Sequence, residues 1–560
     1  MKKGKQPITI DDNSIYQYFD DLIYKEEFFR KKGWKKEENS GSYGLTDQQV
    51  QTIYGSKKVL YGQEDAKNQL NLIQTFQRFL HEYIGIRGLE ELLVNNYGTI
   101  ENSIFFEYDS YGRPKNIREH SKHQMKNAYL GSVLLLDCGY LQDIAKTISQ
   151  ERSETTKYLV DQARRVLKAE KKSAVGKYPE GMNAVYTQDM ILGNADICEK
   201  LEEWAYKIFL LSSLFHDIGY PLEYYLRTTE KLSDYPPHLK ILRPAAKTDF
   251  TEIKMCLLES RLFQQIDHES IRVKYLNDNH GALSAISLLL HFYYSGKIYS
   301  LSTEKRCLIE MTAIAIYRHT DKFSDGTRMV YMNDPISYMV RLCDDLQEWN
   351  RFKLQINEKH NYLQCDECGK ILLEEKREYI CSGCGRKYYK VTQLENRKVN
   401  YISLCDGLEI TYDDQKVNLR FLFSYMKQIE VLLDDYAAVL KNCKSFYEID
   451  SMLKNQKMTP QMHIDYFLSN NPLIIIEEMI NNSAQKDKIE KWIREQEETE
   501  KGKNLKAFYD NYNSLIKHEP AVFGEKLEKN ELKYRDKVRK FVRSYYGEIY
   551  SLYYFLQTME

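Results

Sequence analysis

The chain has no apolar run approaching the ~18 residues that a membrane-spanning helix needs. Its longest apolar stretches, around Ile208–Phe215 and Ala282–Leu290, have the length of core helices. The opening Met-Lys-Lys-Gly-Lys-Gln-Pro lacks the apolar stretch of a secretory signal, so a cytoplasmic protein without a membrane partner is expected. Charge of one sign is also missing. Eighty basic residues face 81 acidic ones, a net charge of -1, which gives no global reason for nucleic-acid or membrane binding. The 11 cysteines are an odd number spread along the chain, and in a cytoplasmic setting they should be thiols or metal ligands. No internal repeat of convincing period is visible.

What is present is length and helical pattern. The 560 residues suffice for two to four domains with a sizeable core. Aromatics reach 13%, mostly through 45 tyrosines, and with frequent Lys, Asn and Ile this reads as AT-rich coding before it reads as a stacking surface. Residues 1–45 are polar and lysine-rich, with a short helix expected near Ile15–Phe29. Thr46-Asp47-Gln48-Gln49 looks like a helix start. Leu70, Ile73, Phe76 and Leu80 fall at helical spacing. Residues 103–115 suggest a strand and turn, or an extended lead-in to the next helix. From 116 to 350 the pattern is almost wholly helical. Alternation over 396–425 predicts a small sheet or hairpin. Helices return from 426, and the charged run Lys486–Lys506 reads as a solvated helix or connector. The resulting division is a helical region over 1–100, a central domain over 101–355, a cysteine module over 356–395, and a small β element followed by helices over 396–560.

Five segments carry candidate metal ligands. They are Arg118-Glu119-His120-Ser121-Lys122-His123-Gln124, the doublet His216-Asp217, Asn277-Asp278-Asn279-His280-Gly281-Ala282, Tyr317-Arg318-His319-Thr320, and Arg341-Leu342-Cys343-Asp344-Asp345-Leu346-Gln347-Glu348-Trp349. Each lies in or at an end of an apolar helical run. A histidine there must be hydrogen-bonded, metal-bound or neutral, because an unpaired buried charge is costly. For any single one, a satisfied core or capping role is the commoner fate. Taken together, in a chain with only 12 histidines, their order points to a site.

This order resembles the HD-domain superfamily of metal-dependent phosphohydrolases, over roughly residues 116–352 with an interruption from 222 to 275. The resemblance implies an HD-type helical bundle. Its first ligand is His120 or His123. His123 is preferred because His123-Gln124 followed by Leu130-Gly131 matches one subgroup. His216 and Asp217 match the signature doublet, and Asp344 the closing aspartate. His280 and His319 stand where a second ion would need ligands, with Asp217 bridging. With one ion, His280 or His319 would be a general acid or phosphate ligand. Imidazole and carboxylate ligands suit Mn, Mg, Fe, Co, Ni or Zn. Such an ion lowers the pKa of its water and polarises a phosphoryl oxygen. Arg118, Lys122, Lys126 and Arg318 are candidates for holding phosphate, and surface charge is their plainer reading. Two departures limit the likeness. Gly219-Tyr220-Pro221 sits beside the doublet, not far downstream as in the HD-GYP phosphodiesterases, and reads as coincidence. The histidine-rich extension of dGTP triphosphohydrolases is replaced by Pro221-Leu222-Glu223, with Glu223 a weak acid–base candidate.

Cys365-Asp-Glu-Cys368-Gly and Cys381-Ser-Gly-Cys384-Gly are two CxxC knuckles separated by twelve residues. Four thiolates at this spacing make a closed tetrahedral zinc site, here a structural zinc ribbon. Its Lys370, Arg377, Arg386 and Lys387, with Tyr388 and Tyr389, would suit a protein or nucleic-acid partner, although nearby acidic residues dilute that signal. The expected function is hydrolysis of a nucleotide. A (deoxy)nucleoside triphosphate comes first and a cyclic or linear signalling nucleotide second, with a non-catalytic nucleotide sensor as the competing class. Analogy suggests a nucleotide-depleting enzyme of anti-phage defence, and superfamily relatives often form homo-oligomers.

Overall fold

The computed structural model describes residues 7–34, 36–37, 44–51, 53–54, 63–100, 106–108, 114–117, 120–175, 193–220, 250–277, 279–321, 329–347, 352–356, 363–364, 371–372, 378–380, 387–389, 399–403, 405–424, 449–469, 483–496, 498–518 and 548. It is mainly helical, with one four-stranded sheet and several two-stranded ladders. Among the described residues no helix is long and apolar enough to cross a membrane.

The helices that build the centre are α1 (Asp12–Phe19), α2 (Gln63–Phe79), α3 (His120–Ser132), α4 (Tyr140–Ile148), α5 (Glu154–Val175), α6 (Asn194–Phe215), α7 (His280–Tyr293), α8 (Thr303–Arg318) and α9 (Pro335–Leu346). Helix α6 is the axis, with α3, α4, α5, α8 and α9 all packing on it. From Trp204 to Phe215 every residue of α6 is buried, polar Lys207, Ser212 and Ser213 included. A helix buried all round is a core helix. It packs tightly on α3, where a Cβ added to Gly131 would lie 1.8 Å from the Phe209 ring. That glycine leaves room for the Phe209 ring between the two helices.

Caps explain where these helices begin. Ser302 accepts from Lys305 N at 3.3 Å to open α8. Asn279 accepts from Ala282 N at 3.0 Å to open α7. Asp334 accepts from Ser337 N at 3.3 Å to open α9, and Pro335 follows where its missing N–H costs nothing. The expected start at Thr46 is a reciprocal cap, with Gln49 N to Thr46 Oγ1 at 3.3 Å and Thr46 N to Gln49 Oε1 at 2.9 Å.

The main sheet joins distant parts of the chain. Its strands are β1 (Ile8–Ile10), β2 (Cys405–Tyr412), β3 (Lys416–Ser424) and β4 (Gln461–Ser469), in that spatial order. β2 and β3 form the hairpin expected from the alternation, with Leu408 opposite Phe421 and Ile410 opposite Leu419, all buried. β1 pairs antiparallel with β2 through Ile8 and Ile410. β4 runs parallel to β3, a strand where only helices were expected. Phe106–Tyr108 and Pro114–Ile117 pair as a short ladder, in line with the strand-and-turn reading. The charged run forms parts of two helices, Ser483–Gln496 and Glu500–His518, which keep Ile489, Ile493, Leu505 and Phe508 buried. Each CxxC knuckle falls in sequence between two paired strands, Leu363–Gln364 with Ile371–Leu372 and Glu378–Ile380 with Lys387–Tyr389. Cys365, Cys368, Cys381 and Cys384 themselves lie outside the described residues.

Candidate metal centre

Helices α6 and α8 end in the same way. His216 and His319 each follow the last helical residue, and each turns its Nδ1–H back to the carbonyl three residues earlier. His216 donates to Ser213 O at 2.9 Å, and His319 donates to Ile316 O. Such a bond fixes the tautomer, so the Nε2 lone pair is the free face of the ring. Two helix C-termini therefore converge on one point with their negative dipole ends, which favours a cation there.

The carboxylates complete the cluster. His123 Nε2 lies 2.9 Å from Asp344 Oδ1 and 3.5 Å from Asp217 Oδ2. His216 Nε2 lies 3.4 Å from each of the same two oxygens. On the other side, His280 Nε2 is 3.1 Å from His319 Nε2 and 3.9 Å from Asp217 Oδ1. Metal–ligand bonds of about 2.0–2.2 Å put neighbouring donors about 3 Å apart on one ion. The observed separations are close to that. Three overlapping ligand sets result: His123/His216/Asp217, His216/His319/Asp344 and Asp217/His280/His319. Asp217 turns one oxygen to each side, as a bridging carboxylate would.

The donor set also passes a fit test. His216 is fully buried, and its Nε2 makes no hydrogen bond although two carboxylates flank it. A buried polar atom in that state needs an explanation, and an ion between it and the carboxylates supplies one. The charges agree. Burial disfavours the imidazolium of His216, but Asp217 and Asp344 outweigh it and raise its pKa to about 9. Burial acts against the charge of Asp344 too, yet His123 and His216 hold its carboxyl well below the usual range. Burial lowers His123, and with His216 and His280 nearby it lowers His319 strongly. Without an ion the cluster thus keeps a proton on His216 while His123 and His319 stay neutral.

The surrounding scaffold comes mostly from neighbours of the ligands in sequence, and from Tyr97 and Ser284. Gln124, with its amide oriented to satisfy both ends, accepts from Asp217 N at 3.2 Å and donates toward Leu214 O and Tyr97 Oη. Tyr97 Oη also donates to Leu214 O at 3.1 Å. The Gln347 amide, one residue past α9, sits against His123. Gly219 N donates to Ser284 Oγ at 2.8 Å, and a Cβ on Gly219 would come within 2.5 Å of Ser284 N. Thr320 Oγ1 donates to Asn279 Oδ1 at 2.9 Å, tying the end of α8 to the start of α7. Tyr220 stacks on His280, centroids 4.6 Å apart and planes at 13°. The tripeptide read as coincidence therefore contributes a residue to the site, for a reason unrelated to the HD-GYP pattern.

His123, His216, Asp217, His280, His319 and Asp344 are all brought together. His120 begins α3, and its side chain lies outside the described residues, as do Arg118 and Glu223. Lys122 and Lys126 are buried on the helix of His123. Arg318 is engaged with Asp334 at 2.6 Å, an ion pair that anchors the cap of α9. Arg341, at the head of the fifth segment, donates to His319 O at 2.8 Å and to Asp345 Oδ2 at 2.8 Å. No family model matches this chain, and no curated protein or solved structure matches it either.

Proposed function

We propose that the chain is a metal-dependent phosphohydrolase built on an HD-type helical bundle, acting on nucleotides, with (deoxy)nucleoside triphosphates as its first substrate class. The observation that carries the metal-dependent part is the two-faced placement of Asp217 between His123/His216/Asp344 and His280/His319. The nucleotide part rests on the resemblance of the ligand order.

In this reading His123, His216, Asp217 and Asp344 hold one divalent ion, and Asp217, His280 and His319 hold a second. Bound ions supply a nucleophilic water near neutral pH and offset phosphoryl charge. The chain's own residues do the rest. Backbone carbonyls at Ser213 and Ile316 hold the imidazoles of His216 and His319 by Nδ1 and leave Nε2 facing the cluster. His280 is the most exposed histidine of the cluster, its side chain 26% accessible against 0% for His216, and so stands on the side open to substrate. Lys122 and Lys126, buried on the helix of His123, are the sequence's candidates for the phosphate chain among the described residues.

The test uses purified full-length protein, a nucleotide panel and Mn, Mg or Co, with Asp217→Ala as the comparison. Nucleoside plus triphosphate as products, lost by more than about a hundredfold in Asp217→Ala, is the expected result; that exceeds what removing an outer partner costs. Linearised dinucleotide as the product would move the substrate to a signalling nucleotide. Bound metal with no turnover of any nucleotide would sink the enzyme reading and leave a sensor.

A further inference from the structure

We propose that Gln347 is the positioning residue for His123, its side-chain amide donating to Nδ1 when the ring proton sits on Nε2 and accepting from Nδ1 when an ion takes Nε2. The proposal rests on the reading of the cluster as a metal centre.

A ligating imidazole needs a partner at its other nitrogen, which sets the tautomer and the aim of the ring. His216 and His319 find theirs in the backbone carbonyls of Ser213 and Ile316. A carbonyl can only accept, so those two rings carry a proton on Nδ1 with or without an ion. His123 is held differently. Among the described residues, the groups in hydrogen-bond or ion-pair contact with it are Asp344, Asp217 and the Gln347 amide. Nε2 faces the carboxylates, 2.9 Å from Asp344 Oδ1 and 3.5 Å from Asp217 Oδ2. Nδ1 is left to Gln347. The amide nitrogen also lies 2.9 Å from Nε2, which places it beside the ring between its two nitrogens.

An amide suits that place because it carries a donor and an acceptor at the same reach. A neutral imidazole has one ring proton. With no ion between them, the two carboxylates draw that proton onto Nε2. Nδ1 is then bare, and Gln347 Nε2–H donates to it. An ion at Nε2 needs the lone pair there, so the ring proton must stand on Nδ1, where the amide nitrogen would meet it donor to donor. Half a turn of the amide about its last bond brings Oε1 to the same spot and makes a hydrogen bond of that clash. Gln347 is 2% exposed, and its Oε1 has no hydrogen-bond partner. The turn therefore breaks no bond to the oxygen, and it gives a buried orphan acceptor its donor. The ring itself keeps its place. Gln347 follows Asp344 by three residues at the end of α9, so one short segment carries both the closing carboxylate and the partner of the first histidine.

The experiment has two readouts on the full chain. The first is nuclear magnetic resonance of protein labelled in its histidine ring nitrogens, with and without a diamagnetic ion, magnesium or zinc. The His123 signals are identified by their loss in His123→Asn. Their proton should stand on Nε2 without the ion and on Nδ1 with it; a proton on Nδ1 in both states overturns the proposal. The second is a manganese titration of wild type, Gln347→Met and Gln347→Glu, with thermal unfolding recorded for each. Gln347→Met keeps the length of the side chain and loses both polar ends. It should weaken the ion on the His123 side about tenfold or more, the cost of removing an outer partner, and leave the other ion unchanged. Gln347→Glu, which keeps an acceptor, should retain the affinity. Unchanged affinity in Gln347→Met overturns the proposal, and so does equal loss in Gln347→Met and Gln347→Glu. Loss of both ions in a folded Gln347→Met also overturns it, since the effect would not belong to His123. The wild-type spectra decide where a variant fails to fold. A wild-type protein that binds no ion overturns the metal reading itself, and this is seen before any variant is compared.

Discussion

The two sides of the histidine and aspartate cluster are built by different means. On the His123/His216/Asp344 side, two carboxylates meet two imidazoles, and His216 is set by a backbone carbonyl at the end of a fully buried helix segment. On the His280 side, the ring begins a helix, is partly exposed, and stacks on a neighbouring aromatic. Backbone is the stiffer of the two supports, because moving it means moving a packed core. The first side is therefore organised before any ligand arrives, and the second is the one that a substrate or a substitution can adjust. The close structural likeness of His216 and His319 sharpens the contrast, since identical caps serve opposite sides of Asp217.

The largest expected effect comes from removing one ligand from each side. His216→Ala should cut affinity for the ion of its own side more than about a hundredfold, beyond the loss expected from an outer partner. His280→Ala should keep that ion and lose the other. Manganese titration of the two variants, read for affinity at each site, checks this, and loss of the same ion in both would erase the distinction between the sides.

A smaller effect, in pH, follows from the proton on His216. Its folded pKa without an ion is about 9, above the ordinary 6.5. The charge on His216 therefore stabilises the metal-free fold fully below the ordinary value, and that contribution is lost as pH rises through about 9. A metal must displace the same proton. From neutrality up to about 9, apparent affinity should rise about tenfold per pH unit, with about one proton released per ion at this side. His123 and His319, already neutral, add nothing to that count. Calorimetry in buffers of different ionisation enthalpy measures the proton directly; affinity flat across this range would mean that His216 is not displaced and is not a ligand.

The smallest effect concerns Arg318, which lies next to a ligand in sequence but pairs with Asp334 in the fold. Arg318→Ala should lower stability by about 1–2 kcal/mol, the worth of a charged hydrogen bond. It should shift KM for any nucleotide by less than about twofold. A tenfold rise in KM with unchanged melting temperature would return Arg318 to the phosphate-binding role expected from its position in the chain.

The sequence was most legible where chemistry is concentrated in rare residues. Histidine is scarce here, and a His-Asp doublet at the end of an apolar run marks a helix terminus as well as a ligand pair. The six ligand candidates could therefore be named without a structure. The supporting residues could not, because their meaning is set by partners far along the chain. Tyr97 is an ordinary aromatic until it is seen to donate to Leu214 O. Tyr220 was set aside because its neighbours resembled another family's motif, and only the 4.6 Å stack gives it a role. β1 was invisible for a related reason. Three residues are too few to show alternation, and their partner begins at Cys405. β4 shows how neighbours decide a strand, since its nine residues pair in parallel with β3 along their whole length.

The ligands also have a topological consequence. They come from five segments, and an ion shared among them would act as a cross-link that closes successive loops of roughly 90, 60, 40 and 25 residues. The centre would then narrow the unfolded ensemble much as a set of disulfides does, and chelation would be felt as a loss of cooperativity across the whole helical bundle as well as at the site itself.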